Sequence, residues 1–212
     1  MENTMRFINA LLLGLVLSFS SAPLLAAQFE EDVDFERIDQ PQPTKNKNKI
    51  EVIEFFWYGC PHCSNFDPYV QRWKKGLASD VEFTLIPAVF RPDWEIHAKA
   101  FYTAEMLKVL DKVHPAMFNA VHNLGLPMSN ELQIMKLFTD NGVSERDFKR
   151  IFNSFAVESK LRKSKTIHRS YGVNSVPSMI VNGKYRTNAG LAGSHVNVLK
   201  VVDHLINQER KK

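Results

Sequence analysis

The stretch Ile50-Glu-Val-Ile-Glu-Phe-Phe-Trp-Tyr-Gly-Cys-Pro-His-Cys63 carries the reading of this chain. From Ile50 to Tyr58 it is rich in β-branched and aromatic residues, which predicts a strand buried on both faces. Pro61 suits the first turn of a following helix, where a missing N–H leaves no bond unmade. Phe66, Tyr69, Val70, Trp73 and Leu77 then recur at helical spacing, so Cys60 is expected to cap that helix and Pro68 to kink it. A strand that delivers a cysteine to a helix N-terminus puts its sulfur where backbone N–H groups and the helix dipole favour a thiolate. His62 adds a donor or a positive charge beside it. A stabilised thiolate is a good leaving group, which favours donating a disulfide over removing one. Cys63, inside the helix, is the expected shielded partner that resolves a mixed disulfide.

Cys60 and Cys63 are the only cysteines in the chain. A bridge between them closes too small a loop to staple a fold, so the pair is read as reactive. A zinc site needs about four ligands, and neither a second CxxC nor a spaced His pair completes one, so no metal is expected. Glu54 is the second informative residue. Alternation through Ile50, Val52, Glu54, Phe56 and Tyr58 places its carboxylate on an otherwise apolar strand face. A half-buried carboxylate needs a task or a partner. Two readings stand at this point: a proton relay for Cys63, or a structural Glu satisfied by a side chain or water.

The 212 residues are 44% apolar and 24% charged and include fifteen Phe, which excludes a disordered or collagenous chain and predicts a sizeable core. Net charge is only +4 and the basic residues are scattered, which argues against nucleic acid as a partner. Arg6, the apolar run Phe7 to Leu17 and the small residues up to Ala27 read as a signal peptide over residues 1–26, cleaved after Ala26 or Ala27. The alternative is an uncleaved anchor helix, but the run is short and diluted by Ser, Pro and Ala. Nothing later reaches the roughly 18 apolar residues of a membrane span. The mature chain is therefore expected outside the cytoplasm, where a cysteine pair meets oxidising conditions.

Further strands are expected at Val81 to Val89 and Ser178 to Val181, the latter turning at Asn182-Gly183 into Lys184-Tyr185-Arg186. A closing helix begins near Ser194, with Val198, Val201, Val202 and Leu205 on one face. Between Val89 and Val176 the content is helical: Trp94 to Leu110, Pro115 to Asn123, Asn130 to Thr139, Glu145 to Phe155, and a long helix ending near Tyr171. Ser129 and Ser144 are expected N-caps, Asp147 a box-like partner of Ser144, and Gly142 and Gly172 helix stops. The stripe Phe148, Ile151, Phe152, Phe155 is read as core. Gln40 to Lys49 is read as a polar loop.

With these residues in view, the chain resembles the DsbA family of periplasmic thiol:disulfide oxidoreductases over essentially its whole mature length. The resemblance rests on Glu54 to Cys63, on Gly172-Val-Asn-Ser-Val-Pro-Ser-Met-Ile-Val-Asn-Gly-Lys-Tyr185, and on the helical insertion between them. It implies an α/β thioredoxin fold over residues 27–90 and 165–212, with an inserted all-helical domain over residues 91–164. It implies Cys60 as nucleophile and mixed-disulfide site, Cys63 as buried partner, Pro61 and His62 as the residues between them, and Glu54 as the buried acid. Val176-Pro177 would form a cis-proline loop against the active site, the Val176 backbone pairing with extended substrate as in strand addition. There is one departure: some members carry on the second strand a lysine that pairs with the buried acid, and Leu85 falls at that position here, so Glu54 is expected to lack a charged partner and to hold its proton more tightly.

The implied function is a monomeric periplasmic oxidase that donates the Cys60–Cys63 disulfide to reduced, unfolded secreted proteins. Its redox group is that disulfide, with no cofactor, and a DsbB-like inner-membrane partner reoxidises it. The alternatives are a disulfide isomerase or reductase, a metal carrier using Cys60, His62 and Cys63, and a binding module with an incidental disulfide. Fewer than about 25 residues separate the expected cleavage from the first long strand, too few for the dimerisation domain of the resembled isomerases.

Overall fold

The computed structural model describes residues 29–211, so the expected signal peptide and its cleavage site lie outside the described residues. In chain order the elements are β1 (Glu36–Arg37), β2 (Ile50–Phe56), α1 (Pro61–Lys74), β3 (Val81–Pro87), α2 (Glu95–Met106), α3 (Leu110–His122), α4 (Glu131–Asp140), α5 (Glu145–Phe152) and α6 (Phe155–Ser170). The chain closes with β4 (Ser178–Val181), β5 (Tyr185–Thr187), α7 (Ala189–Ala192) and α8 (His195–Arg210). The sheet order is β1-β5-β4-β2-β3, with only β2 and β3 parallel. This is a thioredoxin fold whose β3-to-β4 connection carries five helices.

β2 lies inside the sheet between β4 and β3, and all its residues but Ile50 are buried, as a strand apolar on both faces requires. One face meets α1 and α8 in a core containing Val52, Phe66, Val70, Met179, Val202 and Leu205. At the C-terminal end of the strand, Phe56 and Tyr58 pass into a second core with Phe101, Met117, Phe138 and Phe148 of the inserted helices. Cys60 and Cys63 belong to this second core. The CxxC segment therefore sits where the sheet, α1 and the helical insertion meet.

The β4–β5 hairpin turns through Asn182 and Gly183, both at positive φ (51° and 66°), the backbone such turns require. A Cβ on Gly183 would lie 2.1 Å from the Gln42 carbonyl oxygen, so the polar loop before β2 is packed directly against the turn. Ser144 caps α5 as expected: its Oγ accepts from the Asp147 N–H at 3.1 Å, and its hydroxyl donates to the Asp147 carboxylate at 2.8 Å.

Several helix boundaries differ from expectation. The expected helix Trp94 to Leu110 stops at Met106, because the chain turns through Lys108 at φ 59°. α3 then starts at Leu110 and carries Pro115 inside it, where burial of Val113, His114, Met117 and Phe118 outweighs one missing hydrogen bond. Asn130, not Ser129, caps α4, its side chain accepting from the Gln133 N–H at 3.0 Å. α5 ends at Phe152 since Ser154 caps a new helix. That resets the helical phase, and Phe155 is 79% exposed rather than core. β3 ends at Pro87, and β1 and α7 have no counterpart in the sequence reading.

Candidate active site

β2 ends at Phe56, and Trp57, Tyr58 and Gly59 turn the chain into α1, with the Cys60 N–H donating to the Trp57 carbonyl at 3.0 Å. A Cβ on Gly59 would lie 2.3 Å from the Trp57 ring, so only glycine lets the indole lie across this turn. The indole is stacked on Trp94, centroids 3.9 Å apart and planes 6° from parallel. Cys60 has extended backbone angles and caps α1: its Sγ accepts from the Cys63 N–H at 3.4 Å, and Pro61 opens the first turn. The strand-to-helix transition thus aims the first sulfur at the unpaired N–H groups of the helix.

The two thiols are free and chemically unequal. A hydrogen bond from the Cys63 side chain lowers the Cys60 pKa most. Burial opposes it, and the backbone N–H groups of Cys63 and His62 and the nearby His62 ring add to the lowering, for a value of about 6. Cys63 is fully buried, and burial, the bond it gives to Cys60 and the Cys60 charge push its thiol well up. At neutral pH the pair is one thiolate supported by one thiol. His62 acts on it partly through its backbone, and its side chain is exposed.

Val176–Pro177 is a cis peptide bond, and the Val176 carbonyl oxygen lies 3.4 Å from Cys60 Sγ, within reach of the protonated thiol as donor. This loop immediately precedes β4. Residues 116 positions apart in sequence therefore meet at the sulfur.

Glu54 is 3% exposed and lies beside Leu85 on β3 and Met179 on β4. Burial, and then the negative charge of Asp67, push its pKa well above the carboxylate range. Its charge in turn helps raise the Cys63 pKa. The β3 neighbour is apolar, so no opposite charge on that strand offsets the burial of this carboxyl. Sequence reasoning missed a chain of polar side chains on the same side of β2. The Tyr58 hydroxyl lies 2.8 Å from His114 Nδ1, and His114 Nε2 lies 3.2 Å from the Asp67 carboxylate. No local pattern signals it, because His114 is 56 residues from Tyr58 and 47 from Asp67.

Among the described residues no group of three or more His, Cys, Asp or Glu side chains is placed to hold a metal ion, and no helix is long and apolar enough to cross a membrane. The arrangement can exchange disulfides: a low-pKa sulfur at a helix start, a buried second sulfur, an acid behind it and an open backbone segment beside it. A family model described as a DSBA-like thioredoxin domain matches residues 51–198. The chain belongs to the DsbA-like thioredoxin family. It is 38% identical over 211 residues to the thiol:disulfide interchange protein DsbA of Azotobacter vinelandii, covering 96% of this chain and 99% of that one. It is 36% identical over 203 residues to the DsbA of Pseudomonas aeruginosa, covering 94% and 96%. The crystal structure of Pseudomonas aeruginosa DsbA superposes with a TM-score of 0.83 at 37% identity, covering 86% of this chain and 95% of that one. The oxidoreductase DsbA from Xylella fastidiosa superposes with a TM-score of 0.79 at 33% identity, covering 84% and 96%. As a DsbA-like protein, the chain is a thiol:disulfide oxidoreductase.

Proposed function

We propose that this DsbA-like protein is a periplasmic oxidase that transfers the Cys60–Cys63 disulfide to reduced, unfolded secreted proteins. A substrate thiolate attacks Cys60 Sγ, and the electrons of the broken S–S bond leave on Cys63. Cys63 has a high proton affinity and takes a proton from Glu54. A second substrate thiolate then attacks the substrate sulfur of the mixed disulfide and expels Cys60 as a thiolate. Two electrons pass to the protein and the substrate gains a disulfide. The observation that carries this direction is the place of Cys60 as the N-cap of α1, its Sγ accepting from the Cys63 N–H at 3.4 Å, which lowers its pKa and makes a stable thiolate the better leaving group.

The Val176 backbone, beside the sulfur, suits an extended substrate segment paired as an added strand. No cofactor enters this scheme beyond the disulfide. The monomer is the functional unit, and a DsbB-like inner-membrane oxidase restores the disulfide. The test is incubation of the oxidised protein with a reduced, unfolded secreted protein. Transfer should be complete, Cys60→Ser should abolish it, and Cys63→Ser, which cannot form the intramolecular bridge, should have no disulfide of its own to transfer. Equilibrium favouring the protein's own disulfide over the substrate's would make it a reductase instead.

A further inference from the structure

Tyr58 lies between the end of β2 and Cys60, and α3 holds it at two points. The His122 Nε2 lies 2.7 Å from the Tyr58 carbonyl oxygen, and the Tyr58 hydroxyl lies 2.8 Å from His114 Nδ1. Phe118 fills the space between, its ring centroid 5.1 Å from that of Tyr58 and 6.1 Å from that of Phe56. Positions 114, 118 and 122 follow one another at intervals of four, so they form a single stripe along the helix. That stripe is laid on the turn that leads into Cys60.

A carbonyl oxygen only accepts, so His122 Nε2 carries the hydrogen of its bond to Tyr58 whether the ring is neutral or charged. The bond is at the short end of the N–H···O range. It falls on the peptide that joins Tyr58 to Gly59. Residue 59 has to be glycine, because a Cβ there would lie 2.3 Å from the Trp57 ring, and a glycine restrains its own backbone least of all residues. The hydrogen bond from α3 supplies the restraint that this position lacks. Cys60 comes next in the chain, its N–H bonded to the Trp57 carbonyl at 3.0 Å and its Sγ 3.4 Å from both the Cys63 nitrogen and the Val176 carbonyl oxygen. A turn of the Tyr58–Gly59 peptide would therefore shift Cys60 against the helix start and the cis-proline loop together.

We propose that His122 is a positioning residue for Cys60: by holding the Tyr58 carbonyl it fixes the turn that sets the sulfur against the first N–H groups of α1 and against the Val176 backbone. It acts through the Tyr58–Gly59 peptide and not on the sulfur itself. This rests on the reading of Cys60 as the reacting sulfur, and it gives the helical insertion a direct hold on the geometry of that residue.

The experiment titrates the thiolate absorbance of the reduced mature protein, wild type and variants, and equilibrates each with glutathione. His122→Leu removes the donor and should raise the Cys60 pKa by about half a unit, roughly a threefold fall in the ratio of thiolate to thiol, with a glutathione equilibrium less oxidising by a similar factor. His122→Gln offers an amide N–H to the same carbonyl and should return both values to those of the wild type. Phe148→Leu loosens the core of the helical insertion, where Phe148 packs on Phe138 and Phe152, and leaves the hydrogen bond in place. It should lower stability to denaturant and leave the Cys60 pKa unmoved. An unshifted His122→Leu titration would overturn the proposal. So would a Gln variant no closer to wild type than the Leu variant, or a Phe148→Leu shift as large as that of His122→Leu, since either would make packing and not the hydrogen bond the cause. If His122→Leu does not fold, His122→Phe keeps a ring without a donor and makes the same comparison. Disulfide transfer that survives Cys60→Ser would instead overturn the reading of Cys60, and it is seen in a separate assay from these titrations.

Discussion

At the scale of single residues, the reactivity of Cys60 comes from its place in the chain more than from any one neighbour. The thiol of Cys63 and the N–H groups of Cys63 and His62 all point at its sulfur because the residue is an N-cap, and the His62 ring adds the smallest of these contributions. His62→Leu keeps the N–H and removes only the ring. The Cys60 pKa should therefore rise by less than about one unit, and the equilibrium with glutathione should move by less than about tenfold toward a less oxidising protein. Thiolate absorbance titrated in both proteins checks this, and an unchanged or lowered pKa in the variant would remove the ring from the account. Cys60, Cys63 and Glu54 were legible in the sequence because their meaning is local: a spacing, a helix start, one carboxylate on an apolar face. Asp67 and His114 were not, since a hydrogen bond between helices far apart in sequence leaves no periodicity to read.

At the scale of elements, the turn from β2 into α1 is the part that other contacts lean on. Gly59 lets the Trp57 indole lie over the backbone, and that indole stacks on Trp94 at the head of α2. Gly59→Ala places a methyl into the ring, so the indole must leave its stack. The variant should unfold about 1–3 kcal/mol more easily, as overpacked sites do. The Cys60 pKa should change little, because none of its causes involves the indole. Denaturant unfolding with thiolate titration separates the two effects, and a stability equal to wild type would show that the contact relaxes freely. Ser144 and the Asn182-Gly183 turn were readable beforehand because capping and turn chemistry act within a few residues. The break at Lys108 and the new start at Ser154 were not, because the apolar pattern runs through both points and only packing of the inserted helices decides where the chain bends.

At the scale of the whole molecule, the active site couples redox state to folding. The strand-helix-strand and hairpin-helix layout was readable from periodicity, and the helical insertion from the length between β3 and β4. The meeting of Val176 with Cys60 needed the sheet order itself. DsbA enzymes are strong oxidants because their reduced form is the stabilised one, and the account predicts the same of this chain, with the capped thiolate as the cause. The folded Cys60 pKa is depressed to about 6, so its stabilisation of the reduced fold is full above the unfolded thiol pKa of about 8.5 and is lost as pH falls through about 6. Roughly one unit of the shift lies below pH 7, which contributes about 1 kcal/mol there. The oxidised form has no thiolate, and a bridge across two intervening residues constrains the unfolded chain little. The measurement that tests the account most directly is denaturant unfolding of the reduced and oxidised proteins at pH 7 and again below the Cys60 pKa. The account predicts that the reduced protein is the more stable at pH 7 and that the gap narrows in acid; an oxidised protein more stable at pH 7, or a gap indifferent to pH, would contradict it.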